Sequence, residues 1–238
     1  KRADAVSAED FDRRLSLADR LNSQFHNRYP NADVKAYEEL YREAIALMKS
    51  KDLKAFDLSQ EPAATRELYG SGRFAQGCLL ARRLVETGVR FVEVLLGGWD
   101  THVDNFTSVA GRCKEFDQAY AALITDLEKS GRLKDTLVVV ATEFGRSPEI
   151  KTEHKDGRDH HPGAFSCLLA GGGIKGGVKH GLTDASGSKV KEGLVTVQDF
   201  NATIAYALGL PYDTVVMSPT KRPFKIADKG VPVTALFG

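Results

Sequence analysis

The sequence predicts an α/β fold, a mostly parallel, doubly wound sheet preceded by an N-terminal helical segment. Three observations carry that expectation. Phe91–Leu96 and Thr136–Ala141 are short, nearly unbroken apolar runs, the pattern of strands buried on both faces. A helix-period stretch lies between them, and a crossover of that length joins parallel neighbours. Phe165–Ala170 is a third such run and ends in Gly171-Gly172-Gly173.

In chain order, residues 1–70 read as a helical segment packed on the main domain, which spans 71–238. Ser7 is a candidate N-cap followed by Glu9 and Asp10, and Phe11, Leu15, Ala18, Leu21 and Phe25 form one apolar stripe. Tyr29-Pro30-Asn31 breaks this helix. A second begins near Asp33 with Val34, Tyr37, Leu40, Tyr41, Ala44, Ile45 and Met48 inward, so the pair forms a helical hairpin. Residues 50–62 read as a docked connection. From Ser71, helix alternates with strand: Phe74, Cys78, Leu80, Ala81, Leu84 and Val85 fit a helix that Gly88 ends. The long helix runs from about Asn105 to Ser130. Thr196 to Asp199 resembles a capping box ahead of a last helix, and the proline-bearing tail from Ser218 reads as an extended wrap.

Composition excludes several classes of function. The 238 residues are 42% hydrophobic and 27% charged, which suits an ordinary globular domain. A formal charge of +1 gives no general attraction to nucleic acid or anionic membrane, and Arg82-Arg83 reads as a solvated helix face. No run is long enough to span a membrane, and no secretory signal pattern is visible. Cys78, Cys113 and Cys167 form no paired framework and read as buried free thiols. The chain begins at Lys1, which reads as a processed product or fragment.

Three polar clusters lie where such a sheet would present its loops. Asp100 and His102 follow the first strand, Glu143 and Arg146 follow the second, and Asp159, His160 and His161 precede the third. Carboxylates and imidazoles from separate loops are what a divalent-metal site needs, and Arg146 is suited to steadying an anion. The bland alternative is a set of ion pairs, Glu143–Arg146 and Arg158–Asp159, that hold loops. The Ala170–Gly177 stretch lacks the G-K-[ST] ending of a phosphate-binding loop, and no G-x-S-x-G nucleophile motif exists.

The segments GRFAQGCLLARRLVETGVRFVEVLLGGWDTHVDNF, TLVVVATEFGRSPEI, GRDHHPGAFSCLLAGGGIKGG and SPTKRPFKIADKGVPVTALF resemble the bacterial family DUF1501, related to sulfatases within the alkaline phosphatase superfamily. The resemblance runs from about Phe56 to the end. It implies an alkaline-phosphatase-like three-layer α/β sandwich, this chain being its later part, and metal-dependent hydrolysis of phosphate or sulfate esters. The implied cofactor is a divalent ion (zinc, manganese or calcium), and the implied substrate is a small anionic ester or a sulfated or phosphorylated glycan. Because full-length members commonly carry an export signal, the resemblance implies a periplasmic or exported protein. By position, it makes Asp100, His102, Glu143 and His160 metal residues; the clusters themselves add Asp159 to that set and Arg146 as the catalytic residue. Phe144 stands where a ligating His is expected, His161 replaces a Trp, and the C-x-P-x-R sulfatase signature is absent. The superfamily's nucleophile corresponds to sequence upstream of Lys1. These departures point to a competing expectation, a non-catalytic envelope protein that binds glycan or protein partners.

Overall fold

The computed structural model describes residues 5–238, so the first four positions of the expected helical segment lie outside the described residues. Helix α1 (Ala8–Arg28) is capped by Ser7, whose hydroxyl accepts from the Asp10 N–H at 3.0 Å. Helix α2 (Ala32–Lys49) is capped by Asn31, and Lys49 reaches back to Asp12 at 2.8 Å, which closes an antiparallel hairpin. Neither helix buries any residue, contrary to the expected inner faces: Tyr37 is 62% and Leu40 60% exposed. The connection beyond them is docked, as two short 3-10 turns (Lys51–Phe56 and Leu58–Gln60) with Ala55 buried.

The core lies among α3 (Ala63–Tyr69), α4 (Arg73–Glu86) and α5 (Asn105–Lys129). Tyr69, Leu79 and Leu127 are its largest fully buried side chains. Only the second half of α5 enters it, through Ala119, Ala122, Leu123 and Leu127, while Phe106 near the helix start is 51% exposed. Arg82 and Arg83 are not a solvated face. Both bond Glu61, whose side chain is 9% exposed, and Arg82 also pairs with Glu86 at 2.9 Å.

The expected parallel sandwich is overturned. Helices, 3-10 turns included, take about 49% of the described residues. The strands β1 (Val138–Val140), β2 (Gly145–Arg146), β3 (His160–His161), β4 (Leu168–Ala170), β5 (Leu182–Thr183), β6 (Val190–Glu192), β7 (Val215–Met217) and β8 (Pro223–Lys225) form four two-stranded antiparallel pairs. The pairs are β1 with β4, β2 with β3, β5 with β6 and β7 with β8. No α-helix links β1 to β4, so nothing carries the chain across a sheet face for a parallel return. Residues 91–96 stay extended but join no ladder among the described residues. Val94, Leu96 and Val138 pack on the helical core, whereas Phe91 and Leu95 are 81% and 80% exposed. The run alternates with period two, so Val92, Val94 and Leu96 are half-buried on one side and the other side is exposed, in place of two covered faces.

The closing part follows its local signals. Helix α6 (Val197–Ala207) carries the full Thr196–Asp199 capping box. Asp199 also accepts the Val231 N–H at 2.8 Å, and Thr203 accepts that of Val233 at 3.0 Å, so the helix ties down the tail. That tail contains β8, which pairs back antiparallel on β7, and a 3-10 turn at Thr234–Leu236. Among the cysteines only Cys78 is buried, and Cys113 and Cys167 are exposed.

Candidate metal centre

Two loops and one short strand pair build the site. Residues 99–104 turn into α5, with Asp104 in the left-handed region at φ 50° and buried Thr101 donating to Asn105 Oδ1 at 2.5 Å. The loop after residue 151 comes back against this turn. Arg158 N–H donates to Thr101 O at 3.1 Å, and Asp104 N–H donates to Lys155 O at 3.1 Å. Gly157 permits that approach, because a Cβ at this position would lie 1.8 Å from the His102 carbonyl oxygen. From there the β2–β3 register pairs Arg146 with His160 and brings both to Asp100.

Three ligand-type atoms meet there. Asp100 Oδ1 lies 3.0 Å from His160 Nε2 and 3.1 Å from His102 Nε2, and the two imidazole nitrogens are 3.1 Å apart. A cation standing about 1 Å above this triangle would reach all three atoms at about 2.0–2.1 Å, the ordinary zinc–imidazole length. Two imidazoles and one carboxylate on one face, with the remaining positions open, suit a catalytic rather than a closed structural ion. Their side chains are 67%, 43% and 49% exposed for Asp100, His102 and His160, so the open face is reachable from solvent.

The surrounding charges orient these groups. Asp159 Oδ1 sits 3.1 Å from His102 Nδ1, on the far side of the ring from the triangle, and Lys151 holds the other Asp159 oxygen. Arg146 Nη2 donates to Asp100 Oδ1 at 2.5 Å. The His160 and Arg146 hydrogen bonds draw the Asp100 carboxyl down to about 2. Asp159 is likewise lowered, first by Lys151 and then by His102.

Of the residues singled out in the sequence, Asp100, His102 and His160 are brought together, and Asp159 stands behind His102. Glu143 is not in the three-atom group. With Trp99, Phe144, Arg146 and Arg158 it lines an adjoining cavity of about 290 Å3, and the Phe144 ring lies 4.5 Å from that of His160. His161 turns away, its Nε2 2.8 Å from the Ser188 carbonyl oxygen. The sequence reading missed Gly157 and Lys151. A glycine two residues before an Asp-His-His run was the available signal for the first. Arg158, read as a partner of Asp159, instead donates to the Ser147 carbonyl at 3.2 Å, and its Nε lacks an acceptor among the described residues.

A family model described as a protein of unknown function, DUF1501, matches residues 1–237. No curated protein and no solved structure matches the chain.

Proposed function

The chain belongs to DUF1501, a family of unknown function, and from that premise we propose that it is an exported, metal-dependent hydrolase of phosphate or sulfate esters, akin to sulfatases in chemistry. One observation carries the reading: Asp100 Oδ1, His102 Nε2 and His160 Nε2 stand 3.0–3.1 Å apart with their open face towards solvent. The donor set fits zinc, manganese less well, and calcium least, because calcium takes oxygen ligands and two of the three donors are imidazoles. A divalent ion held there would polarise an ester oxygen and lower the pKa of an attacking water.

The chain's own residues supply the rest. Asp159 accepts a hydrogen bond from His102 Nδ1–H and so directs the Nε2 lone pair into the triangle. Arg146 keeps Asp100 ionised, and its guanidinium would offer positive charge to an anion bound beside that carboxylate. Arg158, in the wall of the adjoining cavity, adds a second cation. A small anionic ester, free or on a glycan, matches this charge pattern.

One contact favours a second reading. The Arg146 guanidinium already sits on the Asp100 oxygen that a cation would use, which suits a non-catalytic envelope protein that binds glycan or protein partners. The test is hydrolysis of 4-nitrophenyl phosphate and 4-nitrophenyl sulfate by zinc- or manganese-loaded protein. Turnover abolished by Asp100→Ala supports the hydrolase. No turnover of either ester over the Asp100→Ala background overturns it in favour of the binding module.

A further inference from the structure

The α1–α2 hairpin is the part of the structure whose own contacts least account for its sequence. It contributes nothing to the core, yet Leu17, Leu21, Phe25, Tyr29, Tyr37, Leu40, Tyr41 and Leu47 are all between 50% and 62% exposed. A cavity of about 290 Å3 separates the two helices, lined by Leu15, Ala18 and Asn22 on one and Glu38, Arg42 and Ile45 on the other. Those residues mark the sides on which the helices face each other. At about 100° per residue, Leu17, Leu21 and Phe25 turn away from that side of α1, and Tyr37, Leu40 and Leu47 turn away from that side of α2. The antiparallel course then puts both rows on one broad side of the hairpin.

We propose that this side docks on the same side of a second copy of the chain, forming a four-helix bundle that dimerises the protein. Three observations select this occupant. Tyr37, Leu40, Ala44 and Leu47 follow the alternating three- and four-residue spacing of a helix–helix seam. Half-exposure of the six large apolar side chains in these two rows amounts to on the order of 600 Å2 per chain, within the range that a stable interface takes from each partner. Residues 8–49 carry eight acidic and seven basic side chains, so a second copy is not repelled and neither an anionic membrane nor a charged partner is favoured. Two hairpins face to face bury on each other what neither can bury alone. The inference does not depend on the metal site.

Light scattering on the eluting full chain tests it. Wild type elutes at twice the 26.0 kDa of one chain at tens of micromolar. Leu21→Glu/Leu40→Glu elutes at the single-chain mass with unchanged far-ultraviolet circular dichroism, because neither position belongs to the core. Phe91→Glu, on a different exposed apolar face, stays dimeric. A single-chain mass for wild type up to about 100 μM would overturn the proposal. So would a dimer that survives Leu21→Glu/Leu40→Glu, or one that Phe91→Glu alone dissolves.

Discussion

Asp159 Oδ1 lies 3.1 Å from His102 Nδ1, on the opposite edge of the imidazole from the nitrogen that meets Asp100 and His160. This contact fixes both the ring's orientation and its tautomer, with the proton on Nδ1 and the lone pair on Nε2. Asp159→Ala therefore weakens zinc binding by about 10–100-fold without removing a ligand atom. Isothermal titration calorimetry reads the change; an affinity equal to wild type would show that Asp159 does not orient His102.

Gly157 lies where the two loops of the site pack backbone against backbone. Gly157→Ala puts a Cβ 1.8 Å from the His102 carbonyl oxygen, and the three nearest atoms all belong to the backbone of His102 and Val103. The loop must move, at about 1–3 kcal/mol, and His160 moves with it, so stability and zinc affinity fall together. Gly176→Ala, which meets nothing within 4 Å, is the matched control. Thermal melts and zinc titrations of the two variants check this, and equal behaviour would contradict it.

Glu61 binds both Arg82 and Arg83, with side chains 9%, 13% and 13% exposed. Burial raises its carboxyl, but the Arg83 and Arg82 bonds outweigh that and leave it lowered. Glu61→Ala leaves two nearly buried guanidinium groups without this partner and costs about 3–5 kcal/mol, measurable by urea unfolding.

The Asp100 carboxyl titrates near 2 because His160 and Arg146 bond its ionised form. A folded value below the ordinary 3.8 makes the carboxylate's contribution to stability complete above that pH and lost as the pH falls towards 2. Arg146→Gln and His160→Ala each move the titration upward towards 3.8. Carbon-detected NMR of the side-chain carboxyl follows it, and an unmoved midpoint in both variants would contradict the assigned cause.

Cys113 and Cys167 are exposed, while burial encloses Cys78 and pushes its thiol up to about 11. A thiol reagent at neutral pH modifies Cys113 and Cys167 in the folded chain, Cys167 more slowly because partial burial raises its thiol, and Cys78 only on unfolding. Fast modification of all three would show that α4 is not packed as described.

The legible parts of the fold were those written in local chemistry. Ser7 and the Thr196–Asp199 box state helix starts through side-chain hydrogen bonds a few residues long. Sheet topology is not local. The apolar run at 91–96 gives no sign of whether one face or two is covered, and Phe91 and Leu95 turn out to be open. Likewise, Arg82-Arg83 reads as solvated until Glu61, some twenty residues upstream, is folded against it. In the site, residue types announced Asp100, His102 and His160, whereas the β2–β3 register and the Gly157 contact, both products of tertiary folding, decided which atoms meet.

The most direct test is zinc titration of the purified, metal-stripped protein, beside Asp100→Ala and His160→Ala. One ion per chain for wild type, with binding weakened in both variants, is the predicted result. No saturable binding by wild type, or equal binding by all three proteins, would contradict a metal centre at Asp100, His102 and His160.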